Sequence, residues 1–254
     1  FNATIAGNTT LNGQSVGGNG VSISSVGLSV TGQTLITGSS GTSNGVLIGG
    51  TSTNLTGNAT INGMANSAGT GVTISALTAQ NVTITGTSQT GPGVSASALS
   101  AQNVSISGIS DSGTAVSLTG VYVVNQNKVW NISGVSNTSS AITTTTFTLD
   151  SAGQTTIAGR TNSTSAGAVR LGNTTTLNVS STGKMVLDGQ NAGNGTASSN
   201  GFQFATGGQL DINNAGNLTI TGSAANGTGV SMAQNTINNL TLQAGSTSLI
   251  QGTS

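Results

Sequence analysis

The sequence predicts an all-β protein built as a parallel β-helix, a solenoid in which the short strands of successive coils stack on one another. Three observations support this fold class: an internal repeat, short runs in which apolar and polar residues alternate, and turns rich in glycine and asparagine. They predict one continuous solenoid over residues 1–254 with about nine or ten coils. We expect more regular coils at 21–141 and longer, irregular coils at 142–254.

The internal repeat is clearest between residues 71–92 and 93–114, which are identical at 13 of 22 aligned positions. An apolar residue opens each unit and recurs at intervals of 22 to 33 residues, at Val21, Val46, Val72, Val94, Val116, Ile142, Val169, Phe202 and Val230. Strands this short cannot bury an apolar face alone, so equivalent strands must stack coil upon coil.

Alternating runs give the strands their two faces. Val82 and Ile84 share one face of such a run, while Thr83 and Thr85 share the other, because side chains of a strand alternate with period two. This order argues against a disordered tract, which the low charge and the abundant serine and glycine would otherwise suggest. A β-sandwich is the main competing fold, and the coil-length repeat disfavours it.

The turns account for much of the remaining composition. Glycine stands near the turn before several of the repeat units, at Gly41, Gly71, Gly93, Gly201 and Gly229. Corners of a coiled chain commonly need a positive φ, which glycine adopts at the lowest cost. We therefore expect these glycines to be corner residues with positive φ.

Composition excludes most functional classes. The chain has four basic and four acidic residues, a net charge of zero, and no histidine, cysteine or glutamate. No catalytic residue, metal ligand or cofactor site is predicted, so we expect a non-enzymatic protein without cofactors. A basic patch for nucleic acid and an apolar run long enough to span a membrane are also missing.

One grouping of charges merits a test as a catalytic site. Asp150, Asp188 and Asp211 could lie on neighbouring coils, near the basic residues Arg160, Arg170 and Lys184. Solvated surface charges are the simpler interpretation of these six residues.

The repeat units resemble the coils of large secreted bacterial adhesins. Units of the form GV-S/T-I-S followed by NV-T-I-T-G-T-S are similar to those of filamentous haemagglutinin and high-molecular-weight adhesins, which are exported by two-partner secretion. The resemblance covers most of the chain and is strongest from Val72 to Val116. It implies a right-handed β-helical shaft, here an interior segment, that lies outside the cell and contacts a host surface, a neighbouring cell or a glycan.

Asn-x-Ser/Thr triplets occur fifteen times, moderately more often than chance placement would give. We single out twelve as candidate glycosylation sites: Asn54, Asn58, Asn81, Asn103, Asn131, Asn137, Asn162, Asn173, Asn178, Asn217, Asn226 and Asn239. Strand patterning alone could also create them, because asparagine suits corners and threonine suits outward positions. Glycosylation gains support from the resemblance, since some of those adhesins carry hexoses on such asparagines.

Two surface features are further candidates for contact. An outer polar ladder is predicted from Thr83, Thr85, Ser105 and Ser107, and such an array would also suit an ice-binding solenoid, although Asn62, Asn131 and Ala158 interrupt it. Tyr122, Trp130 and the adjacent Lys128 lie where the sequence departs from the repeat. We expect them to form either a contact spot on the surface or a local core.

Neither end of the sequence has the features of a capping unit that would protect the terminal strand edges. Both ends still alternate like a strand, and no charged residue precedes Asp111 or follows Asp211. Uncharged strand edges favour pairing with further strands. We therefore expect either that the native chain continues beyond both ends or that copies stack end to end, as in a filament subunit. The sequence thus favours a structural or adhesive surface protein, with a filament subunit and an ice-binding protein as alternatives.

Overall fold

The structure, a computed structural model, describes residues 2–24, 27–50, 53–194, 199–204, 209–232 and 236–254. These residues form strands, turns and bends, and none of them lies in a helix. Accordingly, this part of the chain holds no apolar helix long enough to cross a membrane. The chain divides into two compact units, unit 1 (Phe1–Ser117) and unit 2 (Leu118–Ser254). Both are β-solenoids of parallel strands, with about nine turns in all, which confirms the predicted fold class.

Unit 1 contains two stacks of parallel strands. Its strands are β1 (Asn2–Ile5), β2 (Thr9–Ser15), β3 (Val21–Ile23), β4 (Gly27–Val30), β5 (Thr34–Ser40), β6 (Val46–Ile48), β7 (Thr53–Ala65), β8 (Val72–Ile74), β9 (Leu77–Ser88), β10 (Val94–Ala96) and β11 (Leu99–Ser110). One stack has the order β1, β4, β7, β9, β11, with β2 paired with β5 and β5 also paired with β7. The other has the order β3, β6, β8, β10.

In unit 2, the last three coils have three strands each, whereas the two earlier coils have two. Its strands are β12 (Val116–Val124, which begins in unit 1), β13 (Val129–Ser136), β14 (Ile142–Ser151), β15 (Gln154–Thr161), β16 (Val169–Leu171), β17 (Thr174–Val179), β18 (Lys184–Asn191), β19 (Phe202–Phe204), β20 (Gln209–Asn214), β21 (Asn217–Ala224), β22 (Val230–Ser231), β23 (Thr236–Leu242) and β24 (Thr247–Thr253). The long β14 pairs with both β16 and β17, which start two separate stacks. That a single solenoid runs unbroken through residues 1–254 stays a prediction.

Successive coils stack in the register that the repeat predicts. In unit 1, Val46 pairs with Val72, which in turn pairs with Val94. In unit 2, Val169 pairs with Phe202. We use the word column for residues that occupy the same register position in successive coils. One such column in unit 1 consists of Leu11, Ile36, Ile61, Ile84 and Ile106.

The inward columns form an aliphatic core. Val82 and Ile84 are buried, whereas Thr83 between them is exposed, as period-two alternation predicts. Each fully buried isoleucine contributes about 1.5–3 kcal/mol relative to an exposed one, so the stacked columns are the main source of stability. The strands coil around a shared interior because no single strand can bury its apolar face alone.

Buried serines close the turns of unit 1. The Ser88 hydroxyl accepts a hydrogen bond from the Gly91 amide at 3.0 Å and donates one to the Gly69 carbonyl of the preceding coil at 2.7 Å. Ser110 repeats the arrangement one coil later, with the Gly113 amide at 2.9 Å and the Gly91 carbonyl at 2.8 Å. Each hydroxyl thus shapes its own turn and ties it to its neighbour.

The turns need these glycines because backbone atoms of neighbouring coils approach them closely. The expectation of positive φ is therefore wrong for them. Among the described residues, the glycines with positive φ are Gly7, Gly120 and Gly245. A Cβ on Gly71 would lie 2.5 Å from the Thr87 amide nitrogen of the next coil. Of the other predicted corner residues, Gly41, Gly93, Gly201 and Gly229 are likewise crowded by backbone atoms.

Glycine also occupies one column within the strands of unit 1, at Gly13, Gly38, Gly63, Gly86 and Gly108. We call it the strand glycine column. A Cβ on Gly86 would overlap the carbonyl oxygen of Gly93 and lie 2.8 Å from a methyl group of Val94. The strands can lie this close to the turn backbone at this column because glycine has no side chain in the way.

Replacing Thr34 by Val is expected to stabilise the fold. Thr34 is 3 % exposed and its hydroxyl has no hydrogen-bond partner, while later coils place Ala59, Val82 and Val104 in the same column. Removing an unpaired buried hydroxyl should raise the free energy of unfolding by about 1 kcal/mol, which urea denaturation would measure. The control, Thr83→Val on the exposed face, should change it by less than about 0.5 kcal/mol. A Thr34→Val protein no more stable than the parent would contradict this account.

Candidate functional site

A surface groove in unit 1 follows the strand glycine column. It has a volume of 620 Å³ and is lined by Asn12, Gly13, Gln14, Thr37, Gly38, Ser39, Asn62, Gly63, Met64, Thr85 and Thr87. The glycines lie at its floor, and the residues on either side of each glycine form its walls. We call this feature the unit 1 groove.

The walls of the unit 1 groove offer repeated neutral hydrogen-bonding groups. One wall carries Asn12, Thr37, Asn62 and Thr85 in a single column, so an amide or hydroxyl recurs at every coil, about 4.8 Å apart. The side-chain amides of Asn12, Gln14 and Asn62 bond no other described residue, and so remain available to solvent or a ligand. None of the lining residues is charged. The groove therefore suits an extended, uncharged, hydroxyl-rich molecule.

The predicted outer polar ladder lies beside this groove. Thr83 pairs with Ser105 and Thr85 with Ser107. Thr83 and Ser105 are exposed, whereas Thr85 and Ser107 are half-buried. One coil earlier, Asn62 takes the position of Thr85, so the paired hydroxyl columns extend over two coils. Such a patch is short for an ice-binding face, which relies on a long regular array of hydroxyls.

Asparagines form a hydrogen-bonded ladder in unit 1. The Asn81 side-chain amide donates to Oδ1 of Asn58 at 2.7 Å, and the Asn103 amide donates to Oδ1 of Asn81 at the same distance. Equal donor and acceptor groups at one register position let every amide serve both coils. The ladder ties neighbouring coils together from the outside.

Unit 2 has a longer amide ladder. Asn178 donates to Oδ1 of Asp150, Asn213 donates to Asn178 at 2.8 Å, and Asn239 donates to Asn213 at 2.9 Å. Thr241 then donates its hydroxyl to Asn239 at 2.7 Å. A smaller groove of 270 Å³ runs along this ladder, with Val123, Ser180 and Gln243 among the residues that line it.

The ladders account for the position of several candidate glycosylation sites. None of the twelve asparagines is buried: Asn54, Asn81, Asn103 and Asn178 are half-buried, and Asn58, Asn131, Asn137, Asn162, Asn173, Asn217, Asn226 and Asn239 are exposed. Five of them, Asn58, Asn81, Asn103, Asn178 and Asn239, belong to the two ladders. Stacking thus gives a physical reason for asparagine at these positions. Their glycosylation stays a prediction.

The expected contact spot is corrected by the structure, because both of its rings are buried. Tyr122 and Trp130 are each 1 % exposed and pack edge to face in the core of unit 2, with ring centroids 5.9 Å apart. Phe147 completes the cluster at 5.7 Å from Tyr122. Lys128, the third predicted member, is half-buried and lines a small groove with Gln126 and Thr182. The departure from the repeat builds a local core.

Burial raises the pKa of Tyr122 to about 12, because the phenolate would lose its hydration. The unfolded chain should ionise near pH 10, and therefore loses this proton before the folded chain does. Protonated Tyr122 makes its full contribution to the free energy of unfolding below about pH 10. The free energy of unfolding should then fall by about 2–3 kcal/mol between pH 10 and 12. Tyr122 is the single tyrosine, so phenolate absorbance measures its titration directly. Titration near pH 10 in the folded protein would contradict its burial, and Tyr122→Phe should abolish the pH dependence.

The three aspartates that could have formed a catalytic group lie on different strands. Asp150, Asp188 and Asp211 belong to β14, β18 and β20. The Asp188 carboxylate accepts hydrogen bonds from Gln190 at 2.9 Å and Thr221 at 2.7 Å. Arg160, Arg170 and Lys184 lie on β15, β16 and β18. The part of the chain that the structure describes holds no cluster of three or more acidic, histidine or cysteine residues that could bind a metal ion.

Comparison with known proteins identifies no relative of this chain. No family model matches the chain, and no characterised protein or solved structure is significantly similar to it. The similarity to the haemagglutinin type of adhesin therefore stays a prediction from the sequence.

Proposed function

We propose that the protein is a non-enzymatic extracellular solenoid that attaches to surfaces by binding uncharged, hydroxyl-rich polymers such as cell-surface glycans. The observation that carries the proposal is the unit 1 groove, which repeats neutral polar groups at every coil over a glycine floor. Each contact with a polymer is weak by itself. Repetition in fixed register lets one chain make many such contacts together, which is how multivalent binding gains strength.

The chemistry of the groove supports this class of ligand. Amides such as Asn62 and hydroxyls such as Thr85 can pair with sugar hydroxyls as both donors and acceptors, and the exposed Asn12 amide is accessible. The exposed Met64 adds apolar surface for the C–H faces of a sugar. A charged polymer would find no counter-charge among these residues.

Binding to immobilised polysaccharides tests the proposal. The chain should bind a neutral hexose polymer and should bind a polyanionic polysaccharide less well. Thr37→Trp places a bulky ring in the unit 1 groove and should weaken binding by about tenfold or more, equivalent to about 1.4 kcal/mol.

Thr60→Trp is the matched control. Thr60 is also an exposed, outward threonine in unit 1, but it does not line the groove. Its binding should stay within about twofold of the parent. Equal losses in the two variants, or no binding of the neutral polymer by the parent chain, would refute the proposal.

A further inference from the structure

The two walls of the unit 1 groove carry long side chains at every second coil. At the first coil of the groove, Asn12 and Gln14 stand on either side of the glycine floor. Asn62 and Met64 stand in the same way at its third coil. Asn62 is half-buried, and the other three side chains are exposed. At these two coils, side chains from both walls therefore take up part of the groove.

The coils between them carry short hydroxyl side chains. Thr37 and Ser39 stand at the second coil of the groove, and Thr85 and Thr87 stand at the fourth. Because serine and threonine are shorter than asparagine, glutamine or methionine, they leave more of the groove open. The room inside the groove consequently repeats every two coils, or about every 9.6 Å.

Only the walls have this two-coil period. The floor repeats at every coil, since Gly38 lies between Gly13 and Gly63 in the strand glycine column. A polymer that contacted the floor alone would match a repeat of one coil. The alternating walls instead favour a polymer whose repeat contains two units that face the groove differently.

An extended chain of β-1,4-linked hexoses has such a repeat. Each sugar of this chain is turned over relative to the sugar before it, so the hydroxymethyl groups point to the same side at every second sugar. Each sugar also advances the chain by nearly one coil spacing, which is about 4.8 Å. Hexoses with α-1,4 links curve into a helix and do not keep this straight two-sugar repeat.

We propose that the unit 1 groove binds an extended β-1,4-linked chain of uncharged hexoses, with one sugar at each coil. The hydroxymethyl groups that face the floor enter at the more open coils of Thr37 and Thr85. At the other two coils, the Asn12 and Asn62 amides bond sugar hydroxyls, and Met64 packs on the C–H face of a ring. The inference rests on the proposed function, because it names the class of polymer that the same groove binds.

Three uncharged hexasaccharides separate the features of this ligand. Cellohexaose has β-1,4 links and hydroxymethyl groups, xylohexaose has the same links without hydroxymethyl groups, and maltohexaose has hydroxymethyl groups on α-1,4 links. In calorimetric titrations of the parent chain, cellohexaose should bind at least about tenfold more tightly than either of the others. Because the lining of the groove spans four coils, affinity should rise with the length of the cello-oligosaccharide up to the tetrasaccharide and change little beyond it.

A double variant tests the alternation of the walls. Ser39→Gln combined with Thr87→Gln gives both open coils a long side chain and keeps the groove polar and uncharged. It should bind cellohexaose at least about tenfold more weakly than the parent chain. The control Thr83→Gln makes the same kind of change on the exposed face of β9, outside the groove, and should stay within about twofold of the parent. Circular dichroism of each variant checks that it is folded.

The outcomes separate this inference from the proposed function. Equal binding of the three hexasaccharides, tightest binding of xylohexaose or maltohexaose, or unchanged binding by the folded double variant would overturn the inference alone, because a neutral glycan would still bind. Binding of another neutral hexose polymer without binding of cellohexaose would also overturn the inference alone. If the parent chain bound no neutral polymer at all, the proposed function and the inference would fail together.

Discussion

Replacing Ile84 by Asp is expected to lower the free energy of unfolding by about 4–5 kcal/mol. Ile84 is 0 % exposed and lies between Ile61 and Ile106 in an inward column. The substitution removes an aliphatic side chain from the core and leaves a carboxylate there with no counter-charge or hydrogen-bond donor nearby. Urea denaturation followed by the fluorescence of Trp130, the single tryptophan, would report unfolding of unit 2. Circular dichroism would report on both units.

Thr83→Asp provides the matched control, one residue away on the exposed face of the same strand. It introduces the same carboxylate into water and should change stability by less than about 0.5 kcal/mol. If the two substitutions were equally tolerated, the assignment of inward and outward faces would be wrong. If both were equally damaging, the outer face would carry a packing role that the structure does not show.

The second large effect is expected for Gly86→Ala, which should cost about 3 kcal/mol or more. The new methyl group would overlap the carbonyl oxygen of Gly93, and this obstacle is backbone rather than a movable side chain. The neighbouring glycines Gly63 and Gly108 occupy the same column, so the coil cannot shift locally without disturbing both.

Gly17→Ala makes the same chemical change at a turn in open space. A Cβ on Gly17 would meet nothing within 4 Å, and its φ does not fall in the left-handed region. Alanine restricts the unfolded chain there and should stabilise the protein by about 0.4–1 kcal/mol. The two glycine variants therefore have effects of opposite sign in denaturation experiments. Effects of the same sign would contradict the role of close approach at Gly86.

Much of the fold could be predicted because its pattern is local and repetitive. Alternation fixes the faces of Val82 and Thr83 from four neighbouring residues, and the repeat places Val72 beside Val94 without any knowledge of the interior. Register in a solenoid follows directly from counting residues per coil. That is why the coil markers and the buried face agree with the structure.

The structural reason for each glycine could not be predicted from the local pattern in this way. A positive φ and a close backbone contact both select glycine, and the sequence does not distinguish them. The structure shows the second cause at Gly71 and Gly86. The repeated pattern of an aliphatic residue, one outward residue and a glycine, as at residues 84–86, was the available signal for the column beneath the groove.

The two aromatic residues show a different limit. Tyr122 and Trp130 interrupt the repeat, and an interruption can produce either a surface insert or a local change of the core. In unit 2 both rings are buried, and they pack there with Phe147. Which outcome applies depends on the space between strands far apart in sequence, and no local pattern reports that space.

The amide ladder of unit 2 has a direction, and a single residue sets it. An ionised carboxylate accepts hydrogen bonds but cannot donate one, so Asp150 requires Asn178 to present its NH₂ group. The Asn178 oxygen then faces the opposite way and must receive the amide of Asn213, whose own oxygen accepts from Asn239. The dipoles of the Asn178 and Asn213 amides consequently align. One carboxylate thereby makes the column of Asp150, Asn178 and Asn213 a polar axis, with its NH₂ groups toward Asp150 and its oxygens toward the last coil.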